Sequence, residues 1–192
     1  MKKEQIQSMI QQMTLREKIF LCMGDGSWKT KAYEHLGIPS VVMSDGTNGV
    51  RFQKGSEQSP GERPFSESLG EKFDDESAMQ RTYKATCFPS GSAIACSWDR
   101  NLIGRIGRDI AKECKALGIN MLLGPGMNIR RHPLTARNFE YYSEDPVLSG
   151  EMAAAIVNAI QSEGVGSCIT HFACPHSATR RTRVNVRVRA RA

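Results

Sequence analysis

Between residues 101 and 173 the hydrophobic period of the chain switches back and forth. NLIGRIGRDIAKECKALG (101–118) has apolar residues at 102, 103, 106, 110, 114 and 117, the spacing of one helix face, and ends in Gly. INMLLGPG (119–126) is a short apolar run closed by Gly and Pro, the pattern of a buried strand. DPVLSGEMAAAIVNAIQSEG (145–164) is an Ala-rich helix pattern with Asp145 near its start and Gly at its end, and VGSCITHFA (165–173) reads as another strand. Strands and helices that alternate through short connections build parallel βα units, and such folds bind ligands at the carboxyl ends of their strands.

The same grammar extends toward the N-terminus. IPSVVMSDG (38–46) is a β-branched run ending in a turn, and FPSGSAIACSWD (88–99) is a second short apolar run. The predicted order is therefore strand, strand, helix, strand, helix, strand. Ahead of it, apolar positions at Ile6, Met9, Ile10, Met13, Leu15, Ile19, Phe20 and Met23 predict two helices over 4–23. Thr14 caps the second, with Glu17 at capping-box spacing. Residues 53–86 are polar and punctuated by Gly55, Pro60, Gly61, Pro64 and Gly70, which predicts a long surface excursion with a helical turn around 74–82.

Composition excludes several classes. No apolar run reaches the length of a membrane span. MKKEQIQSMIQQM lacks the apolar core and cleavage site of an export signal, so it reads as the amphipathic first helix of a cytoplasmic protein. The six Cys contain no CxxC pair and are expected as reduced thiols. His171 and His176 are five apart and do not stack on one helix face, so no metal site is expected. Neither GxGxxG nor a Walker loop follows any predicted strand, so no nucleotide cofactor is expected either. The net charge of +6 belongs to the six Arg from Arg180 onward; the remaining 20 basic residues balance the 20 acidic ones. The body thus has no basic stripe for tracking phosphates, and no nucleic-acid partner is expected.

Three polar residues fall at or just past the ends of different predicted strands: Asp45 in MSDG, Arg137 in GPGMNIRRHPLTARNFEYYSEDP, and His171 in THFA. Each has an ordinary explanation: an Asx turn for Asp45, a surface pair with Glu140 or Glu144 for Arg137, and a core histidine for His171. Tyr141 and Tyr142 fit packing better than stacking. As a set, fixed donors and acceptors beside apolar surface suit a pyranose.

These motifs carry a resemblance. MTLREKI, GIPSVVMSDGTNGVR, the FPS…WD stretch, ALGINMLLGPGMNI, RNFEYYSEDP and THF together resemble the N-terminal part of glycoside hydrolase family 3, of the β-glucosidase type, over roughly residues 10–174. The resemblance implies an α/β fold, the first half of a partial (β/α)8 TIM-type barrel with parallel strands and flanking helices. It implies retaining hydrolysis of terminal β-linked glucose or a related sugar, without a cofactor. Asp45, Arg137 and His171 match the family's sugar-hydroxyl ligands, and Thr170 stands where the family usually has a sugar-binding Lys. Loss of that Lys removes one charge-assisted contact, worth roughly 1.5–3 kcal/mol.

The resemblance thins after Ala173, which divides the chain into a barrel part, 1–174, and an Arg-rich atypical tail, 175–192, of the kind a shifted reading frame yields. The family's nucleophile and acid/base correspond to positions beyond residue 192. The chain is therefore expected to be a truncated piece that carries a sugar-binding rim and is inactive alone. Two alternatives stand beside this reading. One is a non-catalytic carbohydrate-binding or interaction module. The other is a polyanion binder acting through the alternating RVNVRVRARA end.

Overall fold

A computed structural model of the chain describes residues 2–26, 28–54, 82–171 and 185. The helical turn expected around 74–82 and the Arg-rich 175–192 fall outside them, except for Thr82 and Asn185. The fold is α/β. Its elements run α1 (Lys3–Gln12), α2 (Leu15–Met23), β1 (Met43–Asp45), α3 (Gly91–Ala95), α4 (Arg100–Ala116), β2 (Met121–Leu123), α5 (Pro146–Ser162) and β3 (Gly166–Ser167). Short 3-10 turns lie at Glu34–Leu36 and Asn138–Glu140.

The three strands form one parallel sheet in sequential order, β1-β2-β3. Met43 to Asp45 run beside Met121 to Leu123, and Met121 and Leu122 beside Gly166 and Ser167. Parallel neighbours in chain order, joined by helices, are the expected opening arc of a (β/α)8 barrel. Leu122, at the centre of β2, is 1% exposed and packs in a core with Ile103, Ile110, Ile119, Ile156, Ile160 and Val165. α4 and α5 supply half of that core and pack against each other.

Local chemistry explains the helix boundaries. Thr14 Oγ1 accepts from the Glu17 amide at 3.3 Å while Glu17 returns a carboxylate to the Thr14 amide at 2.7 Å, so the predicted capping box closes. Asp99 caps α4 through the amides of Asn101 and Leu102, and Asp145 caps α5 ahead of Pro146 in its first turn. Most of the expected excursion, 55–81, lies outside the described residues; on either side of it the Tyr83 amide donates to the Phe52 carbonyl at 2.9 Å and the two rings stack.

One predicted strand is corrected. Residues 88–99 do not join the sheet; Gly91–Ala95 form the short helix α3. Ser90 caps it through the Ala93 amide, and Gly91 lies so close to the backbone of Glu140 and Tyr141 that a Cβ there would meet the Glu140 carbonyl at 2.9 Å. The short apolar run that resembles a strand is the buried side of this helix, with Ile94 and Ala95 in the core.

Candidate functional site

Direction and order of the strands bring three loops to one end of the sheet. Asp45 is the last residue of β1, the 124–145 loop leaves β2 there, and Thr170 and His171 follow β3. The second and third loops are tied together: Gly126 bridges Thr170, and the Met127 amide donates to the Thr170 carbonyl at 2.8 Å. Gly126 must be glycine for this approach. A Cβ would meet the Glu140 carbonyl at 2.9 Å, Tyr141 Cδ1 at 3.2 Å and Thr47 Cγ2 at 3.3 Å.

Asp45 is half-exposed. Its Oδ1 accepts from the Gly46 amide at 3.0 Å, and its Oδ2 lies 4.0 Å from the Arg51 guanidinium. The Arg51 amide also donates to the Asp45 carbonyl at 2.8 Å, so the turn between them folds Arg51 back against the strand end. Sequence reasoning missed Arg51, although a cation six residues past Asp45 across a Gly-rich turn was a readable signal.

Arg137 pairs with Glu140 and not with Glu144. Its Nε donates to Glu140 Oε1, and the guanidinium side chain remains 41% exposed. Its pKa is raised above the ordinary Arg range chiefly by that hydrogen bond, with further attraction from Glu140, Tyr141 and Asp45, against the cost of partial burial. Glu140 is only 4% exposed, and its other oxygen accepts from Thr47 Oγ1 at 3.0 Å.

The remaining Arg residues of the loop do different work. Arg130 is turned into the fold, donating to Ser92 Oγ at 2.9 Å and to the Tyr142 carbonyl at 2.5 Å, so it pins the loop to α3. Arg131 is exposed. Tyr141 and Tyr142 are both buried, which makes them packing residues as their sequence context suggested. Tyr141 also reaches the third loop: its hydroxyl lies 3.2 Å from His171 Nδ1 and accepts from Asn128 Nδ2 at 3.3 Å. The Thr170 hydroxyl is directed at the Pro125 carbonyl through a long 3.5 Å contact.

The structure thus gathers Asp45, Arg137, Thr170 and His171 at the carboxyl end of the sheet and adds Arg51, Thr47, Glu140, Tyr141 and Asn128 around them. Among the described residues, no group of three His, Cys, Asp or Glu is arranged to hold a metal ion, and no helix is long and apolar enough to cross a membrane. Chemically the rim offers one half-exposed carboxylate, two guanidinium groups and an imidazole, a donor and acceptor set for a polyhydroxylated ligand.

Comparison with known proteins places this geometry. Residues 72–186 match the glycosyl hydrolase family 3 N terminal domain, a match that runs into the Arg-rich end of the chain. The thermostable β-glucosidase B of Acetivibrio thermocellus is 46% identical over 181 residues, 94% of this chain and 22% of the relative. An exo-α-(1→6)-L-arabinopyranosidase of Bifidobacterium longum is 39% identical over 183 residues, 95% of this chain and again 22% of the relative. The chain therefore spans about a fifth of the length of these relatives. In three dimensions it is similar to β-glucosidase 3B from Thermotoga neapolitana in complex with glucose, with a TM-score of 0.70, 34% identity, and coverage of 90% of this chain and 24% of that one. The β-glucosidase from Kluyveromyces marxianus in complex with glucose gives a TM-score of 0.73 at 34% identity, covering 90% of this chain and 18% of that one.

Proposed function

Because the chain belongs to glycosyl hydrolase family 3, we propose that it forms the sugar-holding part of a β-glucosidase-like glycoside hydrolase acting on terminal β-linked glucosyl or related residues. The observation that supports this reading is the placement of Asp45, Arg137 and His171 at or after the ends of three successive strands, at the same end of the sheet. Asp45 accepts hydrogen bonds from sugar hydroxyls, Arg137 donates to their oxygens, and His171 adds a third polar contact. Relatives named as a β-glucosidase and as an arabinopyranosidase support a terminal pyranose as the class and leave its identity to details of the rim.

Retaining hydrolysis needs two carboxyl groups about 5–5.5 Å apart, one attacking the anomeric carbon while the other protonates the departing oxygen. We propose that neither is among the described residues. Glu140 is buried, and each of its oxygens is held by a donor, Arg137 or Thr47, so it is placed as a structural acceptor with little access to a ligand. Asp45 is the better exposed, and its contacts are the Gly46 amide and Arg51, with no second carboxyl group among them.

Purified 1–192 is expected to release nitrophenol from aryl β-glucosides only at background rates, while binding glucose weakly by calorimetry. Turnover at enzyme-like rates that disappears in Asp45→Ala would overturn the assignment and make Asp45 a reacting group. Absence of any glucose binding would remove the sugar reading of the rim.

A further inference from the structure

We propose that Glu140 and Tyr141, two consecutive buried residues, are the positioning residues of the rim, each aiming one polar group supplied by a different part of it. The proposal rests on the sugar-binding reading only for what the aimed groups touch. The geometry itself stands on the contacts.

Glu140 closes the 3-10 turn Asn138–Glu140, and Tyr141 follows it in extended backbone at φ −100°, ψ 155°. That change of conformation sends successive side chains to different neighbours. The Glu140 carboxylate holds two donors at once, Arg137 Nε from its own loop and Thr47 Oγ1 from the loop after β1. With Nε held, the two terminal nitrogens of Arg137 are the part of the guanidinium left to face outward, and the planar fork fixes their direction. Thr47 lies two residues past Asp45, so the same carboxylate also registers the Asp45 turn against the Arg137 turn.

Tyr141 does the equivalent for His171. Its hydroxyl has one proton. Asn128 Nδ2 already donates to the oxygen at 3.3 Å, and His171 Nδ1 lies 3.2 Å away. A chain of donors running Asn128 to Tyr141 to His171 makes Nδ1 the acceptor and puts the ring proton on Nε2. The rings meet edge to face at 6.1 Å and 69°, which restricts rotation of the imidazole. Tyr141 is 0% exposed and Glu140 4%, so neither side chain has freedom to release its partner.

The test combines nitrogen NMR with calorimetry on the 192-residue chain, using D-glucose as the probe. Wild-type His171 is expected to carry its neutral-ring proton on Nε2, and the Arg137 Nε–H signal is expected to exchange slowly with water. Tyr141→Phe keeps the packed ring and should convert His171 to a mixture of tautomers, weakening glucose binding about 3- to 10-fold. Glu140→Gln keeps the volume and should expose the Arg137 Nε–H signal to fast exchange, weakening binding about tenfold. Thr47→Val leaves the Arg137 contact in place and should cost less than either. A purely structural role would lower thermal stability without moving the two nitrogen signals. Wild-type protonation at Nδ1, or signals unchanged in both variants, would overturn the proposal. Signals that move as expected in a wild-type chain that binds no glucose would uphold the positioning role and reject the sugar reading instead.

Discussion

Cys114 sits on the buried face of α4 with 0% of its surface exposed, and burial first, then the Glu113 charge, pushes its thiol up to about 11. Cys22, Cys87, Cys96 and Cys168 are exposed. At pH 8 iodoacetamide is therefore expected to label those four and spare Cys114 until denaturant is added. Equal labelling of Cys114 in the native chain would contradict the packing. The sign of the pH effect follows. Below the ordinary thiol value of 9.0 both folded and unfolded chains keep the proton; between 9.0 and about 11 only the unfolded chain releases it. The contribution of Cys114 to stability is thus intact at low pH and lost as pH rises through that window, by up to ~1.4 kcal/mol per pH unit. At this scale the sequence was partly legible. The rim positions Asp45, Arg137 and His171 could be picked out because each follows an apolar run. The hold of Glu140 on Thr47 could not, because the two are 93 positions apart and only the fold brings them together.

Elements are where local signals work best and where their one failure is instructive. The capping box at Thr14 and Glu17, the Asp cap of α5 and the Gly after α4 are short-range chemistry, and all were readable. The 88–99 segment was not, because its small residues suit helix or strand and the decision falls to packing of Gly91 on the 140–141 backbone. The α4–α5 contact shows the same dependence on close approach. A Cβ at Gly107 would lie 2.9 Å from Ala159 Cβ and 3.0 Å from the Ile156 carbonyl, whereas a Cβ at Gly150, inside α5, would meet nothing within 4 Å. Gly107→Ala must spread the helix pair and is expected to cost about 1–3 kcal/mol. Gly150→Ala only removes helix-interior entropy and is expected to gain about 0.5–1 kcal/mol. Urea titration of the two variants checks the pair. A Gly107→Ala chain as stable as wild type would show that the helices are not packed as closely as described.

Across the whole molecule, burial is distributed unevenly, and stability should follow it. β2 lies between two strands, and α4 and α5 carry six buried residues each. α1 has none, and its apolar stripe remains open: Ile6 is 42% exposed and Ile10 48%. α2 also has no buried residue, but it is anchored at its start by Met13, 5% exposed, and by the Tyr33 hydroxyl donating to the Glu17 carbonyl at 2.9 Å. A ten-residue helix without tertiary burial is marginal in water. The sequence displayed the amphipathic stripe of α1 but not whether anything covers it, since periodicity reports a face and not its partner. Native-state hydrogen exchange is therefore expected to rank the amides: α1 exchanging fastest, α2 intermediate, and β2 with the inner turns of α4 and α5 slowest, near the global unfolding limit. Because the rim hangs from the ends of β1, β2 and β3, its loops should exchange faster than the strands beneath them while the strands keep their order. Protection of Ile6 and Ile10 amides equal to that of Ile110 and Ile156 would mean that α1 is held by burial not seen among the described residues, and the gradient would then have to be redrawn around that contact.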